Sequence, residues 1–209
     1  MSIKVVIGEV RFSYVNVWEP KAIEGSNEAR YSTCVLIPKS DVKTVQQVQQ
    51  AIESAKKEGL AKFGGKMPSN LKLPLRDGDT ERSDDENFRN CYFLNANCRY
   101  APGVVDRHRK PILDTTEFYS GCYGYVSLNF YAFHSNGNKG VACGLNNIMK
   151  SRDGNLLGGR SSAEDDFKDI EITNDNDYNS YNSYHSTQTP HDIPKGFSPV
   201  NEQYDDLPF

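Results

Sequence analysis

The chain has 209 residues, of which 37% are hydrophobic and 25% charged, and a mean hydropathy of −0.67. This length suits one domain with an appendage or two small domains, and it suffices to bury a core. No apolar run approaches the roughly 20 residues of a membrane span, and the first residues lack the pattern of a signal peptide. We therefore expect a soluble, intracellular protein with no membrane partner.

Charge is distributed unevenly along the chain. Residues 1–160 contain 22 basic and 17 acidic side chains, whereas residues 161–209 contain 2 basic and 11 acidic ones. The body is thus mildly basic at +5, and the tail is strongly acidic at −9. This asymmetry indicates a polyanionic partner for the body, an interaction role for the tail, or both, although +5 is also an ordinary surface charge.

Strand patterns dominate the body. Residues 3–17 and 30–38 are β-branched or aromatic runs that predict the first two strands. Three further strands are predicted at about 91–100, 119–134 and 139–149, the last two joined by the turn sequence SNGN. Five such strands can form a small closed or partly closed barrel.

One helix is predicted at about 41–62, between the second and third strands. Its apolar residues recur three or four apart from Val42 to Ala55, which makes a stripe that packs on a sheet. The following stretch, 66–90, has the composition of a long polar loop. Its acidic part, 76–86, predicts a solvated segment outside any binding groove. Arg82 is the one weak candidate for a groove contact in it.

The strand at 119–133 has two contrasting faces. The face that fits a barrel core carries Cys122, Val126, Leu128, Phe130 and Ala132. The opposite face is rich in rings with hydroxyl or polar neighbours: Tyr119, Tyr123, Tyr125, Ser127, Asn129, Tyr131 and Phe133. Such rings can stack on bases at ~1–3 kcal/mol per base whatever the sequence. They can equally cover the helix or an edge of the core, and the pattern alone favours neither.

Basic residues lie close by in the sequence. The segment 99–110 contains four cations with one acid, Asp106, and an interleaved tyrosine: Arg99, Tyr100, Arg107, Arg109 and Lys110. Cations of this kind neutralise phosphates, and guanidinium planes stack on bases.

Catalytic motifs are largely absent, and neither an enzyme nor a cofactor is expected. The acidic residues of the 77–86 stretch could hold a metal for a nuclease, but they lie in one polar segment without a spaced partner on a strand. Five cysteines are scattered through strand-like segments: Cys34, Cys91, Cys98, Cys122 and Cys143. Reduced core thiols are the favoured interpretation, and a zinc site with His108 or His134 is the alternative.

The tail has its own chemistry. From Ser161 the composition shifts to Asn, Asp, Ser, Tyr and Pro, so residues 175–204 are predicted to be disordered, after a short helical turn at 161–167. The chain ends in an acidic pair followed by an apolar tip: Asp205, Asp206, Leu207, Pro208 and Phe209. This is the chemistry of a docking peptide, because charges steer the encounter and apolar side chains fill a pocket.

Four segments of the chain resemble a group of bacteriophage single-stranded DNA-binding proteins. They are RYSTCVLIPKSD at 30–41, CYFLNANCRYAPGVVD at 91–106, EFYSGCYGYVSLNFYAF at 117–133 and GNKGVACGLNNIMKSRDGNLLGGRSSAEDDF at 137–167. The terminal DDLPF also resembles the acidic tip with phenylalanine that ends bacterial and several phage proteins of this kind. The resemblance implies a mainly β, OB-fold-like five-stranded barrel at 1–167 with one helix between strands 2 and 3, and a flexible acidic tail at 168–209.

The resemblance also implies sequence-independent binding of single-stranded DNA during phage replication, recombination or repair in the host cytoplasm, without catalysis. The tail is then expected to recruit replication or recombination proteins. The predicted DNA-binding residues are Phe93, Arg99, Tyr100, Arg107, Arg109, Lys110, Tyr119, Tyr123, Tyr125, Tyr131, Phe133, Lys150 and Arg152. Two alternatives stay open, a virion or regulatory protein that acts through its tail and a metal-dependent nuclease. The sequence leaves the oligomeric state undecided.

Overall fold

A computed structural model describes residues 2–22, 28–135, 137–158 and 167–170. The chain divides into two units, Met1–Arg160 and Ser161–Phe209. The predicted disordered stretch at 175–204, the docking tip at 205–209 and most of the predicted helical turn at 161–167 lie outside the described residues.

In the described part of the first unit, seven strands and two α-helices follow one another. They are β1 (Ile3–Ala22), β2 (Ala29–Pro38), α1 (Val42–Glu58), β3 (Arg76–Asp77), α2 (Gly78–Glu81), β4 (Cys91–Cys98), β5 (Gly103–Val105), β6 (Tyr123–Ser135) and β7 (Asn138–Arg152). Five strands form a barrel in the order β4–β2–β1–β6–β7, which closes where Asn97 of β4 meets Gly144 of β7 in parallel. The predicted mainly β, five-stranded OB-like barrel, with its helix between strands 2 and 3, is confirmed.

The core lies inside the barrel and follows the alternation of the strands. In β6, Val126, Leu128 and Phe130 are buried, whereas Tyr125 is exposed and Tyr131 is half-buried. The two-faced pattern predicted for this strand is confirmed. Each large apolar side chain buried in this way contributes ~1.5–3 kcal/mol to the stability of the barrel.

Strand β1 is 20 residues long and pairs with two neighbours. Its first half pairs with β6 and its second half with β2. Register shifts interrupt these ladders between Ile7 and Val10 and between Ser13 and Asn16. Such bulges bend a strand and increase its twist, so β1 can turn the corner between two sides of the barrel.

Helix α1 packs its apolar stripe against β1 and β6. The Asp41 carboxylate caps its first turn by accepting a hydrogen bond from the backbone N–H of Thr44. Val48 and Ala55 are buried, but Val42 at the start of the predicted stripe is exposed. The helix ends at Glu58, earlier than predicted. A Cβ atom on the following Gly59 would lie 2.0 Å from the Cβ of Ala132, so the chain leaves the helix in close contact with β6.

Residues 76–90, which we call the insertion, are more ordered than the predicted loop. They contain β3, α2 and a 3-10 turn at Glu86–Phe88. Phe88 is 1% exposed and packs with Cys34, Leu36 and Phe93 on the outer surface of β2 and β4. The polar composition concealed this arrangement because one buried ring is enough to anchor a short polar segment.

Four acidic residues of the insertion are engaged in ion pairs or caps: Asp77, Asp79, Glu81 and Asp85. The Lys39 ammonium lies 2.7 Å from a carboxylate oxygen of Asp77 and 2.8 Å from one of Asp79. Within the described residues, no group of three or more His, Cys, Asp or Glu side chains could hold a metal ion.

The basic segment at 99–110 contains a short strand, β5, that the sequence did not predict. β5 pairs in parallel with β7, where Gly103 stands opposite Asn147. The chain then turns around Asp106, whose carboxylate accepts hydrogen bonds from the backbone N–H groups of Lys110 and His108, each at 2.8 Å. These hydrogen bonds, that from Lys110 first, hold the pKa of Asp106 below its usual range. The single acid of the segment therefore builds its turn.

Three of the cysteines, Cys34, Cys122 and Cys143, are buried, and Cys91 and Cys98 are half-buried. Burial raises the pKa of the Cys34 thiol to about 12. The interpretation as small buried thiols is confirmed for the first three. No helix in the described ranges is long and apolar enough to cross a membrane.

Candidate nucleic-acid interface

Tyr123, the first residue of β6, lies beside two arginines from the neighbouring strands. Arg11 on β1 and Arg152 on β7 stand opposite Tyr123 in register. The Cζ atom of Arg152 is 3.6 Å from the centroid of the Tyr123 ring, and that of Arg11 is 5.5 Å away. Both distances fall within cation–π range. We call these three side chains the arginine–tyrosine cluster.

Both arginines of the cluster are held in place by hydrogen bonds. The Arg152 Nε and Nη2 atoms lie 3.0 and 2.9 Å from Oε2 of the Glu9 carboxylate. The other carboxylate oxygen, Oε1, accepts a hydrogen bond from the Ser151 hydroxyl. Arg11 Nη2 donates to the backbone carbonyl of Asn155 at 2.8 Å. Side chains fixed before a ligand arrives lose less conformational entropy when they bind it.

The same contacts set the charge of Glu9. The hydrogen bond from Ser151, followed by that from Arg152, holds the pKa of Glu9 below its usual range. Glu9 is therefore ionised at neutral pH and occupies one edge of the Arg152 guanidinium. A phosphate that approaches Arg152 from that side has to compete with this carboxylate.

Two open pockets flank the arginine–tyrosine cluster. A pocket of about 410 Å³ extends from Tyr123 and Arg11 to Arg89 at the end of the insertion. Another, of about 390 Å³, lies beside Arg152 and is lined by Arg107 and Lys150. Carboxylates line both pockets as well, so each combines cations with acids. The structure thereby brings together three of the predicted phosphate contacts, on β7 and the turn after β5.

Two residues predicted to contact DNA, Tyr119 and Lys150, already form hydrogen bonds or ion pairs within the protein. The Tyr119 hydroxyl lies 3.1 Å from both the Asp153 carboxylate and the Gly154 carbonyl. Burial, followed by the hydrogen bond with Asp153, raises the pKa of Tyr119 to about 12. The Lys150 ammonium forms an ion pair with Asp153 at 2.8 Å, and its side chain is 13% exposed. Both residues therefore hold the segment that follows β7.

Phe93 was predicted to stack on bases, and the structure contradicts this. Its side chain is 1% exposed, and its ring centroid lies 5.0 Å from that of Phe88 in an edge-to-face contact. The Cζ atom of Arg76 lies 4.7 Å from the Phe93 centroid. The prediction failed because the insertion covers the outer surface of β4, which the sequence left open.

The remaining residues of the basic segment lie in exposed positions. Arg99 forms an ion pair with Glu28 at 3.0 Å, and Tyr100 is 81% exposed. Arg109 and Lys110 are exposed in the turn around Asp106. None of these four residues lines either pocket beside the cluster.

The other predicted rings of β6 lie on the outer surface of β6, β1 and β7, above glycines. A Cβ atom on Gly8 would lie 2.6 Å from the Tyr125 ring, and one on Gly140 would lie 2.9 Å from the Phe133 ring. Tyr131 lies near Gly144 in the same way, at 3.5 Å. In the described part of the chain, none of the cation–ring contacts involves these three rings. The aromatic face predicted for this strand therefore consists of two parts, Tyr123 with its arginines and the rings that rest on glycines.

A family model described as Enterobacter phage Enc34, ssDNA-binding protein, matches residues 3–178 of the chain. The chain belongs to this family. A curated relative, protein p50 of Acyrthosiphon pisum secondary endosymbiont phage 1, is 28% identical over 180 residues, which cover 81% of this chain and 95% of the relative.

Solved structures of phage proteins share the fold. The single-stranded DNA-binding protein from bacteriophage Enc34, solved in complex with ssDNA, is 23% identical with a TM-score of 0.66, over 75% of this chain and 90% of that one. The bacteriophage T7 single-stranded DNA-binding protein gp2.5 is 14% identical with a TM-score of 0.54, over 83% of this chain and 98% of that one. At these identities the likeness establishes the shared fold.

Sequence reasoning missed Arg11 and Glu9 as members of the cluster. The available signal was alternation, because Glu9 and Arg11 are charged positions two apart within the mostly apolar stretch 5–12 of β1. Their partners, Tyr123 and Arg152, lie more than 100 residues away along the chain. Only the pairing of β1 with β6, and of β6 with β7, brings the three strands side by side.

Proposed function

We propose that this protein binds single-stranded DNA independently of base sequence. Membership of the family of phage ssDNA-binding proteins carries the proposal. The arginine–tyrosine cluster between two open pockets is the feature of this chain that best supports it. A ring with adjacent cations meets both needs of such binding, because bases stack on the ring whatever their identity and phosphates pair with the cations.

In this proposal the strand passes Tyr123, and its phosphates are neutralised by Arg152 and Arg107. Each neutralised phosphate adds ~0.7 to the magnitude of the log–log salt slope. Lesser contacts are assigned to Tyr125, Tyr131, Phe133, Arg99, Tyr100, Arg109 and Lys110. Tyr119 and Lys150 act indirectly, by holding the end of β7 beside Arg152, and Phe93 takes no part.

The biological role we propose is to coat and protect single-stranded DNA during phage replication, recombination or repair, in the cytoplasm of the bacterial host. The acidic tail would recruit replication or recombination proteins through Asp205, Asp206, Leu207, Pro208 and Phe209. The sequence supports this role by its combination of an acidic segment with an apolar tip.

Fluorescence anisotropy of a labelled oligo-dT strand, titrated with the protein and competed with matched duplex, tests the DNA-binding proposal. Salt-sensitive binding that duplex competes poorly is the expected result. Equal competition by duplex would instead indicate a general DNA-coating protein that relies on phosphates, and an absence of binding at low salt would refute the proposed function.

Deletion of residues 201–209 tests the tail separately. We expect the affinity for oligo-dT to stay the same or rise, because the deletion removes three carboxylates and leaves the barrel intact. Capture of host or phage replication proteins on immobilised protein should be lost. A fall in DNA affinity after this deletion would contradict the docking role.

A further inference from the structure

Tyr14 is an exposed aromatic residue in an unusual backbone conformation. It lies at the bulge of β1 between Ser13 and Asn16, has a φ angle of 47° and is 53% exposed. Positive φ values are uncommon for bulky residues, and asparagine or glycine adopts them more readily. Residues in such conformations cluster at functional sites, so an exposed tyrosine here points to a use for the ring.

A cation from the insertion lies against this ring. The Cζ atom of Arg82 is 5.9 Å from the Tyr14 centroid and 5.6 Å from the Phe88 centroid. Phe88 itself lies 6.4 Å from Tyr14, so its buried ring supports the position of both side chains. Because Phe88 packs on β2 and β4, it holds the exposed ring of Tyr14 and the half-buried guanidinium of Arg82 beside each other.

Arg82 has no carboxylate partner among the described residues, although acids surround it in the sequence. Arg76 forms an ion pair with Glu81, and Lys39 forms ion pairs with Asp77 and Asp79. Glu81, next to Arg82, is thus paired with Arg76, and Asp85 caps its own turn. A half-buried guanidinium without an anion, beside an exposed ring, is suited to bind a ligand that offers a phosphate and a flat apolar face.

The position of this pair in the barrel identifies the ligand. Phe88 covers the outer surface of β2 and β4, the second and third barrel strands. Barrels of this type bind oligonucleotides on the face of these two strands. Polar side chains continue along the same surface, where Asn16 donates to Ser32 and Arg30 donates to Asn97.

We propose that Tyr14 and Arg82 form a nucleotide subsite for single-stranded DNA. One base stacks on the exposed face of Tyr14, and the guanidinium of Arg82 pairs with an adjoining phosphate. The subsite rests on the proposed function and extends it to a surface formed by β1 and the insertion. Duplex DNA does not fit this subsite, because its bases are stacked on each other and offer no free face.

The test compares Tyr14→Asn with Tyr14→Phe in oligo-dT anisotropy, each with a normal strand and with a strand that carries abasic sites. Asparagine tolerates the backbone conformation and removes the ring, whereas phenylalanine retains it. Tyr14→Asn should weaken binding of the normal strand at least about five-fold, the lower end expected for loss of one stacked base. Tyr14→Phe should bind like the wild type. On the abasic strand the two variants should bind equally.

Arg82→Gln tests the phosphate contact, with Lys43→Gln on the exposed side of α1 as the matched loss of one cation. We expect Arg82→Gln to reduce the magnitude of the salt slope by about 0.7 and Lys43→Gln to leave it unchanged. Photocrosslinking of the wild-type protein to an oligonucleotide with 5-iodouracil adds a measurement that needs no variant. The adduct should map to Tyr14.

The outcomes separate the subsite from the proposed function. If the wild-type protein binds oligo-dT but Tyr14→Asn binds equally well, the subsite is refuted and the proposed function stands. An equal loss by Tyr14→Asn on normal and abasic strands would refute stacking. If the wild-type protein does not bind oligo-dT, the proposed function itself fails.

Discussion

Two outer surfaces of the barrel carry aromatic rings, and they are built in different ways. On β6 and β7, Tyr131 and Phe133 lie close above glycines, and no cation contacts either ring within the described residues. Elsewhere, Tyr14 at the bulge of β1 and Tyr123 at the start of β6 each contact arginines from other parts of the chain. An aromatic strand face thus contains rings that pack on the backbone as well as rings paired with charge. Only the latter combine, in one place, the two chemistries that a nucleotide requires.

The largest effect is expected for Phe88→Ala, which removes the ring that anchors the insertion. The side chain is 1% exposed, and truncation of a buried phenylalanine costs about 3–5 kcal/mol. The free energy of unfolding, measured by urea titration, should fall by this amount, and Phe88→Leu should recover much of it. An unchanged urea midpoint for Phe88→Ala would mean that the insertion does not depend on this ring.

The second-largest effect is expected on the affinity for oligo-dT, when one ring from each surface is removed. Tyr123→Ala should weaken binding of oligo-dT by about 1–3 kcal/mol, because it removes a stacking ring held beside two guanidinium groups. Tyr131→Ala should weaken binding less, since no cation adjoins its ring in the described residues. Anisotropy titrations at one salt concentration measure both. A larger loss for Tyr131→Ala would place the main DNA path on the rings above the glycines.

For Glu9→Gln we expect a smaller change in the affinity for oligo-dT, and in the opposite direction, a gain. This change replaces the carboxylate that forms an ion pair with Arg152 by a neutral amide of similar shape. Exposed ion pairs are worth about 0–1 kcal/mol, so the affinity for oligo-dT should rise by at most about five-fold. Glu19→Gln, at an exposed position of the same strand, is the matched loss of one negative charge. Equal effects of the two changes would show that Glu9 acts through net charge alone.

The smallest effect concerns pH and the ion pairs of the insertion. The hydrogen bond from Lys39, followed by that from the Asn90 backbone, holds the pKa of Asp79 below its ordinary value of 3.8. A lowered folded-state pKa stabilises the fold above the unfolded pKa, and this stability is lost as the pH falls through the folded value. Lys39→Met should therefore lower the urea midpoint at pH 7 and have less effect at about pH 2. Equal effects at both pH values would exclude the carboxylates as the cause.

Much of the barrel could be predicted from local patterns. The β6 alternation places Val126, Leu128 and Phe130 in the core because side chains on a strand alternate between its two faces. The helix stripe from Val45 to Ala55 follows from the helical repeat in the same way. The short strand β5 and the ordered insertion escaped prediction, because β5 has three residues and the insertion depends on one distant ring contact.

The amino-acid sequence by itself determined which segments form the five barrel strands, where α1 lies, and that rings and cations are abundant near β6. Only the tertiary structure decided which of them meet. It buried Phe93 beneath the insertion, divided the aromatic face of β6, and brought Arg11, Tyr123 and Arg152 together from three strands. The physical reason is that alternation and propensity act over a few neighbouring residues, whereas a binding surface is assembled by strand pairing across more than a hundred.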